Sequence, residues 1–218
     1  QPINILWGLK INKHFDFVNL FFISKLIKLN NHNCHIYILI ADIHTLIDDS
    51  FKQDDSIIIE KYIQQLQKII KRFIHLDKIT ILKGSDFQLD KNYILDTYNI
   101  LTNYNIQELC HDLNIDVSKN NFKSILHPLL QSLDEQYIQK IYNIDIDMSI
   151  GMEYQYRYYT FSKKINGLLN YKKRFYCLFY IPNELIEKRL ALFQTKSYYD
   201  NNLRCYNIKS LEFILNIL

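Results

Sequence analysis

Along the first 82 residues, short apolar runs with the character of buried strands alternate with segments long enough for helices. This order constrains the fold more than any other feature of the chain. Ile3 to Trp7 reads as a short strand and Phe15 to Leu29 as a largely buried helix. The turn cluster Asn30 to Asn33 precedes the strongest strand candidate, His35 to Ala41. After an acidic loop, Asp48 to Asp55, Ile59, Tyr62, Ile63, Leu66, Ile69, Ile70 and Phe73 recur at helical spacing and mark an apolar face with Lys and Gln opposite. Ile79 to Leu82 is the next strand. Strand–helix–strand–helix–strand at these lengths is the pattern of a parallel sheet wound by crossover helices. Such sheets take ligands beyond the carboxyl ends of their strands. Trp7 and Gly8, Ala41 to His44, and Gly84 to Gln88 each stand at a strand end, so a site is expected where they converge.

The remainder is read more coarsely. Lys91 to Tyr142 carries several helices, Ile144 to Ile150 a strand, Glu153 to Leu169 a Tyr-rich helix, Phe175 to Ile181 a further strand and Ser210 to Ile217 a terminal helix. The 218 residues, 48% of them hydrophobic, suffice for one sizeable core, and a single α/β domain over residues 1–218 is expected. The four cysteines, Cys34, Cys110, Cys177 and Cys205, form no close pair, which argues against a zinc site or disulfide framework and for a reducing, cytoplasmic compartment. Asn19, Ser24, Lys25 and Lys28 interrupt the apolar stretch Phe17 to Leu29, so it is no membrane span. A net charge of +3 is compatible with an RNA partner without requiring one.

Several residues stand out. Asp42 and His44 follow an apolar strand, where the imidazole could face a ligand or satisfy loop backbone groups. Gln131 and Asp134 lie three apart and share a helix face within an apolar stretch, suited to a phenol or ammonium in a closed pocket or to solvent. Gln155 and Arg157 could reach a carboxylate or phosphate, or could line a solvated face. The basic runs Lys163–Lys164 and Lys172–Arg174 could touch RNA phosphates or simply aid solubility. Phosphate-loop, dinucleotide, zinc-protease and serine-hydrolase motifs do not occur.

Gly84 through Tyr93 (GSDFQLDKNY), with Leu95 and Tyr98 beyond, resembles a stretch of archaeal-type tyrosyl-tRNA synthetases. Ala41 to His44 is similar to the A-D-x-H strand end of that family. Pro128, Gln131 and Asp134 resemble its P-x-x-Q-x-x-D helix, and Asp147, Gly151 and Gln155 its D-x-x-x-G-G-x-x-Q segment. The resemblance runs from about Ile5 to Ser197. It implies a class I synthetase catalytic domain: a Rossmann-like parallel sheet with a helical insertion, here about residues 93–124. It further implies that Asp134 accepts a tyrosine hydroxyl, that Gln131 and Gln155 hold the amino-acid backbone, and that Leu39, His44, Phe87 and Gln88 line the pocket. Two positions in the pocket depart from the family, where tyrosines are replaced by Leu6 and His127.

The ATP-handling parts depart further. The H-x-G-H motif of the family falls on Asp16, Phe17, Val18 and Asn19, beside Gly8 in the implied nucleotide site. A carboxylate at Asp16 facing phosphate at ~4 Å and an effective dielectric near ~20 costs on the order of 4 kcal/mol. Each lost donor to the transition state removes roughly a further 10²–10³ in rate. Val18 adds methyl groups where the nucleotide approaches. Phe193 to Ser197 resembles the K-M-S-K-S loop only in part, keeping Lys196 and Ser197 after Thr195. No anticodon-binding domain is expected within the chain. The resemblance therefore implies a degenerate relative without aminoacylation activity, kept to bind tyrosine or another amino acid, tRNA or other RNA, or a protein. The alternatives are an active tyrosine–tRNA ligase, which would use ATP, and an interaction subunit. A homodimer through Tyr93 to Ser124 is the expected assembly.

Overall fold

The structure is a computed structural model that describes residues 2–11, 17–47, 56–73, 76–116, 122–152, 155–168 and 175–179. Its strands are β1 (Ile3–Leu9), β2 (Cys34–Ile40), β3 (Ile79–Lys83), β4 (Met148–Met152) and β5 (Phe175–Phe179). Its helices are α1 (Phe17–Asn30), α2 (Asp42–Ile47), α3 (Ser56–Phe73), α4 (Lys91–Asn103), α5 (Ile106–Leu113), α6 (Lys123–Tyr142) and α7 (Tyr156–Leu168). The five strands form one sheet, all parallel, in the order β3-β2-β1-β4-β5. The order reverses between β1 and β4, which makes their carboxyl ends the switch point of the sheet.

Strand alternation divides the core into two layers. Ile5, Trp7 and Leu9 of β1, Ile36, Ile38 and Ile40 of β2, and Ile150 and Met152 of β4 pack on one face with Phe22 and Leu26 of α1 and Leu66 and Ile70 of α3. Trp7 stacks on Phe22 at 5.0 Å between ring centroids. The alternate positions Leu6 of β1 and Leu39 of β2 turn the other way and join Leu129, Leu130 and Leu133 of α6, Tyr93 of α4 and Phe161 of α7. The sheet is thus buried on both faces, which is why its strands read as continuous apolar runs.

Helix ends follow local chemistry. Asp90 and Asn105 cap α4 and α5 by accepting from the amides of Asn92 and Gln107, each at 2.8 Å. Asn114 and Asn143 close α5 and α6 in the left-handed conformation, at φ of 54° and 49°. The segment after β2 is a short helix, α2, in which Asp42 accepts from the Ile43 amide and Thr45 bonds back to the Ala41 carbonyl. One sequence expectation needs correction. The fourth strand starts at Met148 rather than Ile144, since Ile144 and Ile146 are bonded back to the end of α6. There the Ile144 amide bonds to the Gln139 carbonyl and the Ile146 amide to Gln139 Oε1. The expected acidic loop Asp48–Asp55 and terminal helix Ser210–Ile217 lie outside the described residues.

Candidate functional site

Asp134 occupies the inner face of α6 and is 2% exposed. A carboxylate so placed must be compensated by hydrogen bonds, and three elements supply them. Gln88 Nε2, just after β3, donates to Oδ1 at 2.6 Å. The Tyr93 hydroxyl of α4 donates to the same oxygen at 2.7 Å. His44 Nε2 of α2 donates to Oδ2 at 3.0 Å. Oδ1 is then saturated, whereas Oδ2 keeps a lone pair for one further donor. Burial, then the neighbouring Asp134 charge, pushes the Tyr93 hydroxyl far above its ordinary pKa, so it stays a donor.

His127, two turns before Asp134 on α6, continues the network. Its Nδ1 is 3.4 Å from Nδ1 of His44, with the rings edge to face at 4.7 Å between centroids. Burial above all, with His44 and then Lys10 adding repulsion, lowers its pKa to about 3. The ring is therefore neutral near pH 7. Whichever of the two Nδ1 atoms donates, the neutral His127 ring keeps Nε2 for a further hydrogen bond.

The expected pocket residues divide into two groups. His44, Gln88, Asp134 and His127 form one hydrogen-bonded cluster, and buried Leu39 and Phe87 lie in the same apolar layer as Leu6. Gln131 is half-buried one turn before Asp134 on α6. Gln155 instead accepts from the Met152 amide through Oε1 at 2.8 Å, tying the end of β4 to the residue before α7. Asp42 joins the ends of β2 and β3 by accepting from the Ser85 amide at 2.9 Å.

The nucleotide positions are placed only in part. Gly8, next to last in β1, faces open space, where a side-chain carbon would meet nothing within 4 Å. Asn19 is buried in α1, and its amide donates to the Tyr62 hydroxyl of α3. Asp16, Thr195, Lys196 and Ser197 lie outside the described residues, as does the side chain of Val18. Of the basic runs, Lys163 sits over the Tyr176 ring and Lys164 pairs with Asp112, while Lys172–Arg174 lie outside the described residues.

Sequence reasoning missed Tyr93 as a site residue, although it closes the GSDFQLDKNY stretch. It also missed a second buried cluster. Tyr176 of β5 donates to Glu135 Oε2 of α6 and lies 3.1 Å from both that oxygen and Ser162 Oγ of α7. No local motif announces this group, because its members come from three elements.

Comparison with known proteins bears on the whole arrangement. The family model for tRNA synthetases class I (W and Y) matches residues 16–186. A probable cytoplasmic tyrosine–tRNA ligase of Encephalitozoon cuniculi is 27% identical over 82% of this chain and 53% of its own length. One from Enterocytozoon bieneusi is 29% identical over 82% of this chain and 52% of its own. The chain thus spans about half the length of these relatives, and 34% of the cytoplasmic tyrosine–tRNA ligase of Xenopus tropicalis. Among solved structures, the tyrosyl-tRNA synthetase of Archaeoglobus fulgidus, complexed with L-tyrosine, superposes with a TM-score of 0.69 at 15% identity, covering 83% of this chain and 55% of that one. The tryptophanyl-tRNA synthetase of Giardia lamblia superposes at 0.62 and 16%, covering 81% and 51%. At such identities the superpositions speak for the fold.

Proposed function

Because the chain belongs to the class I tRNA synthetases of the tryptophan and tyrosine branch, as a tyrosyl-tRNA-synthetase-like domain, we propose that it keeps an amino-acid pocket but does not activate its ligand with ATP. The observation that carries the pocket is Asp134, held by three donors with one lone pair in reserve, near the carboxyl ends of β1 and β2. A buried carboxylate with an open acceptor position suits a ligand hydroxyl or ammonium. Neutral His127 adds a second hydrogen-bonding group on the same helix.

Loss of activation rests on the replaced phosphate motif. By the motif resemblance, Asp16 stands where the family has a histidine that donates to the nucleotide phosphate. The Asn19 amide is engaged with Tyr62 between α1 and α3. Calorimetry with L-tyrosine and exchange of pyrophosphate into ATP test the two halves separately. Tyrosine is expected to bind, and exchange to stay at the level of a heat-killed control. Exchange clearly above that control would overturn the proposal in favour of an active tyrosine–tRNA ligase. The open space over Gly8, where a side-chain carbon would meet nothing within 4 Å, is the observation that favours that second reading. An interaction subunit is the third reading, supported by the outer face of α4, and it would follow if neither tyrosine nor ATP bound.

A further inference from the structure

Buried hydroxyls in folded proteins are almost always hydrogen-bonded, so one without a partner calls for a reason. Three buried side-chain atoms among the described residues have none: Asn30 Oδ1, Gln88 Oε1 and Ser149 Oγ. Asn30 ends α1 on the far side of the sheet. Gln88 Oε1 faces backbone, 2.7 Å from where a side-chain carbon would stand on Gly84. Ser149 differs from both in its surroundings.

Ser149 is the second residue of β4 and is 2% exposed. It is in register with Leu6 on one side and Tyr176 on the other. Register partners in a parallel ladder point to the same face. Leu6 packs in the layer of Leu130 and Leu133, on the same helix as Asp134. The Tyr176 hydroxyl reaches Glu135, the residue next to Asp134. Ser149 is therefore directed at the turn of α6 that carries Asp134. It is a short polar side chain set between an apolar Leu and a long Tyr that spans the gap from sheet to helix.

We infer that Ser149 Oγ is a specificity-determining group that hydrogen-bonds the polar tip of an aromatic amino acid whose hydroxyl donates to Asp134. The inference rests on the amino-acid pocket proposed above. A phenol suits the two groups together, since its oxygen can donate to Asp134 Oδ2 while accepting from Ser149. An unsubstituted phenyl ring would leave both unanswered. In the empty protein the serine hydroxyl is then a standing cost, present for the ligand rather than for the fold.

The test uses the 218-residue chain and its Ser149→Ala variant, titrated calorimetrically with L-tyrosine and L-phenylalanine, with melting curves of both proteins without ligand. The wild type is expected to prefer tyrosine. The variant should lose about three- to tenfold in tyrosine affinity, as for one neutral hydrogen bond, with phenylalanine unaffected. Its ligand-free melting temperature should equal or exceed that of the wild type, because an unanswered hydroxyl has been removed. Equal weakening toward both amino acids, or no preference in the wild type, overturns the inference while leaving the pocket in place. A melting temperature lowered by several degrees overturns it too, by revealing a partner within the fold. If the wild type binds neither amino acid, the pocket reading itself fails, and the melting comparison still decides whether the hydroxyl is orphaned.

Discussion

Asp134 shows how one buried charge organises its surroundings. Its donors come from α2, α4 and the turn after β3, so the carboxylate ties three connections to α6. Replacing Tyr93 with Phe keeps the ring but withdraws one donor from a charged acceptor, a loss of about 1.5–3 kcal/mol. Urea denaturation should show this as a lower midpoint at unchanged slope, and an unchanged midpoint would mean that Asp134 does not depend on Tyr93. His127 makes a second, pH-dependent prediction. The folded chain refuses a proton at this ring until about pH 3, whereas the unfolded chain takes one near the ordinary value of 6.5. Protonation therefore favours unfolding: the contribution is complete above about pH 6.5 and declines as pH falls toward 3, by at most about 1.4 kcal/mol per unit. The His127→Gln variant should lose less stability than the wild type between pH 6.5 and 4, and parallel curves across that window would count against the assignment. Asp134 and His44 stand out in the sequence because each is a polar residue set in or after an apolar run. Ser149 does not, since a serine in a strand carries no sign of whether its hydroxyl will find a partner.

At the scale of elements, what was legible followed period and punctuation. The alternation of β1, α1, β2, α3 and β3 is written in apolar runs and turn clusters, and their order follows from it. The start of β4 was misread because Ile144 and Ile146 look like strand residues. Their amides are instead claimed by Gln139, an interaction between residues that no local pattern connects. The close approach of α7 to β4 at Gly151 carries a prediction of its own. A side-chain carbon on Gly151 would overlap the Tyr159 hydroxyl and come within 2.8 Å of Gln155 Oε1. Tyr159 is 5% exposed, with little room to retreat. Gly151→Ala should therefore lower stability by about 1–3 kcal/mol, as overpacking does, whereas Gly8→Ala, facing open space, should change it far less. Similar melting temperatures for the two variants would contradict this close approach of α7 to the sheet.

For the whole molecule, the expected dimer segment separates into an inner and an outer face. Tyr93 and Ile100 of α4 are buried, while Ile94, Leu95 and Tyr98 remain 36%, 50% and 59% exposed. Three large side chains on one solvent face suit a symmetric contact between copies. Light scattering of the 26.3 kDa chain at micromolar concentration should give twice the monomer mass, and Tyr98→Glu should return it to that of the monomer. A monomer mass for the unaltered chain would end the dimer proposal. Which residues of this helix face outward was not legible in the sequence, because apolar residues cover most of its circumference and only packing against α6 chooses the inner set. The strand order β3-β2-β1-β4-β5 also governs how the molecule comes into being. Ile5 waits for Met148, and the amides of Asn4 wait for Asp145 and Asp147, across some 141 to 143 residues of chain. Contacts so distant in sequence carry a large loop-closure cost and form late. A chain emerging from the ribosome can pair β1, β2 and β3 while Asp134 is still unmade, and can present Asp134 before β4 lies beneath it. The proposed pocket would thus be among the last parts to exist, and until then β1 is an open edge that invites association with other unfinished chains.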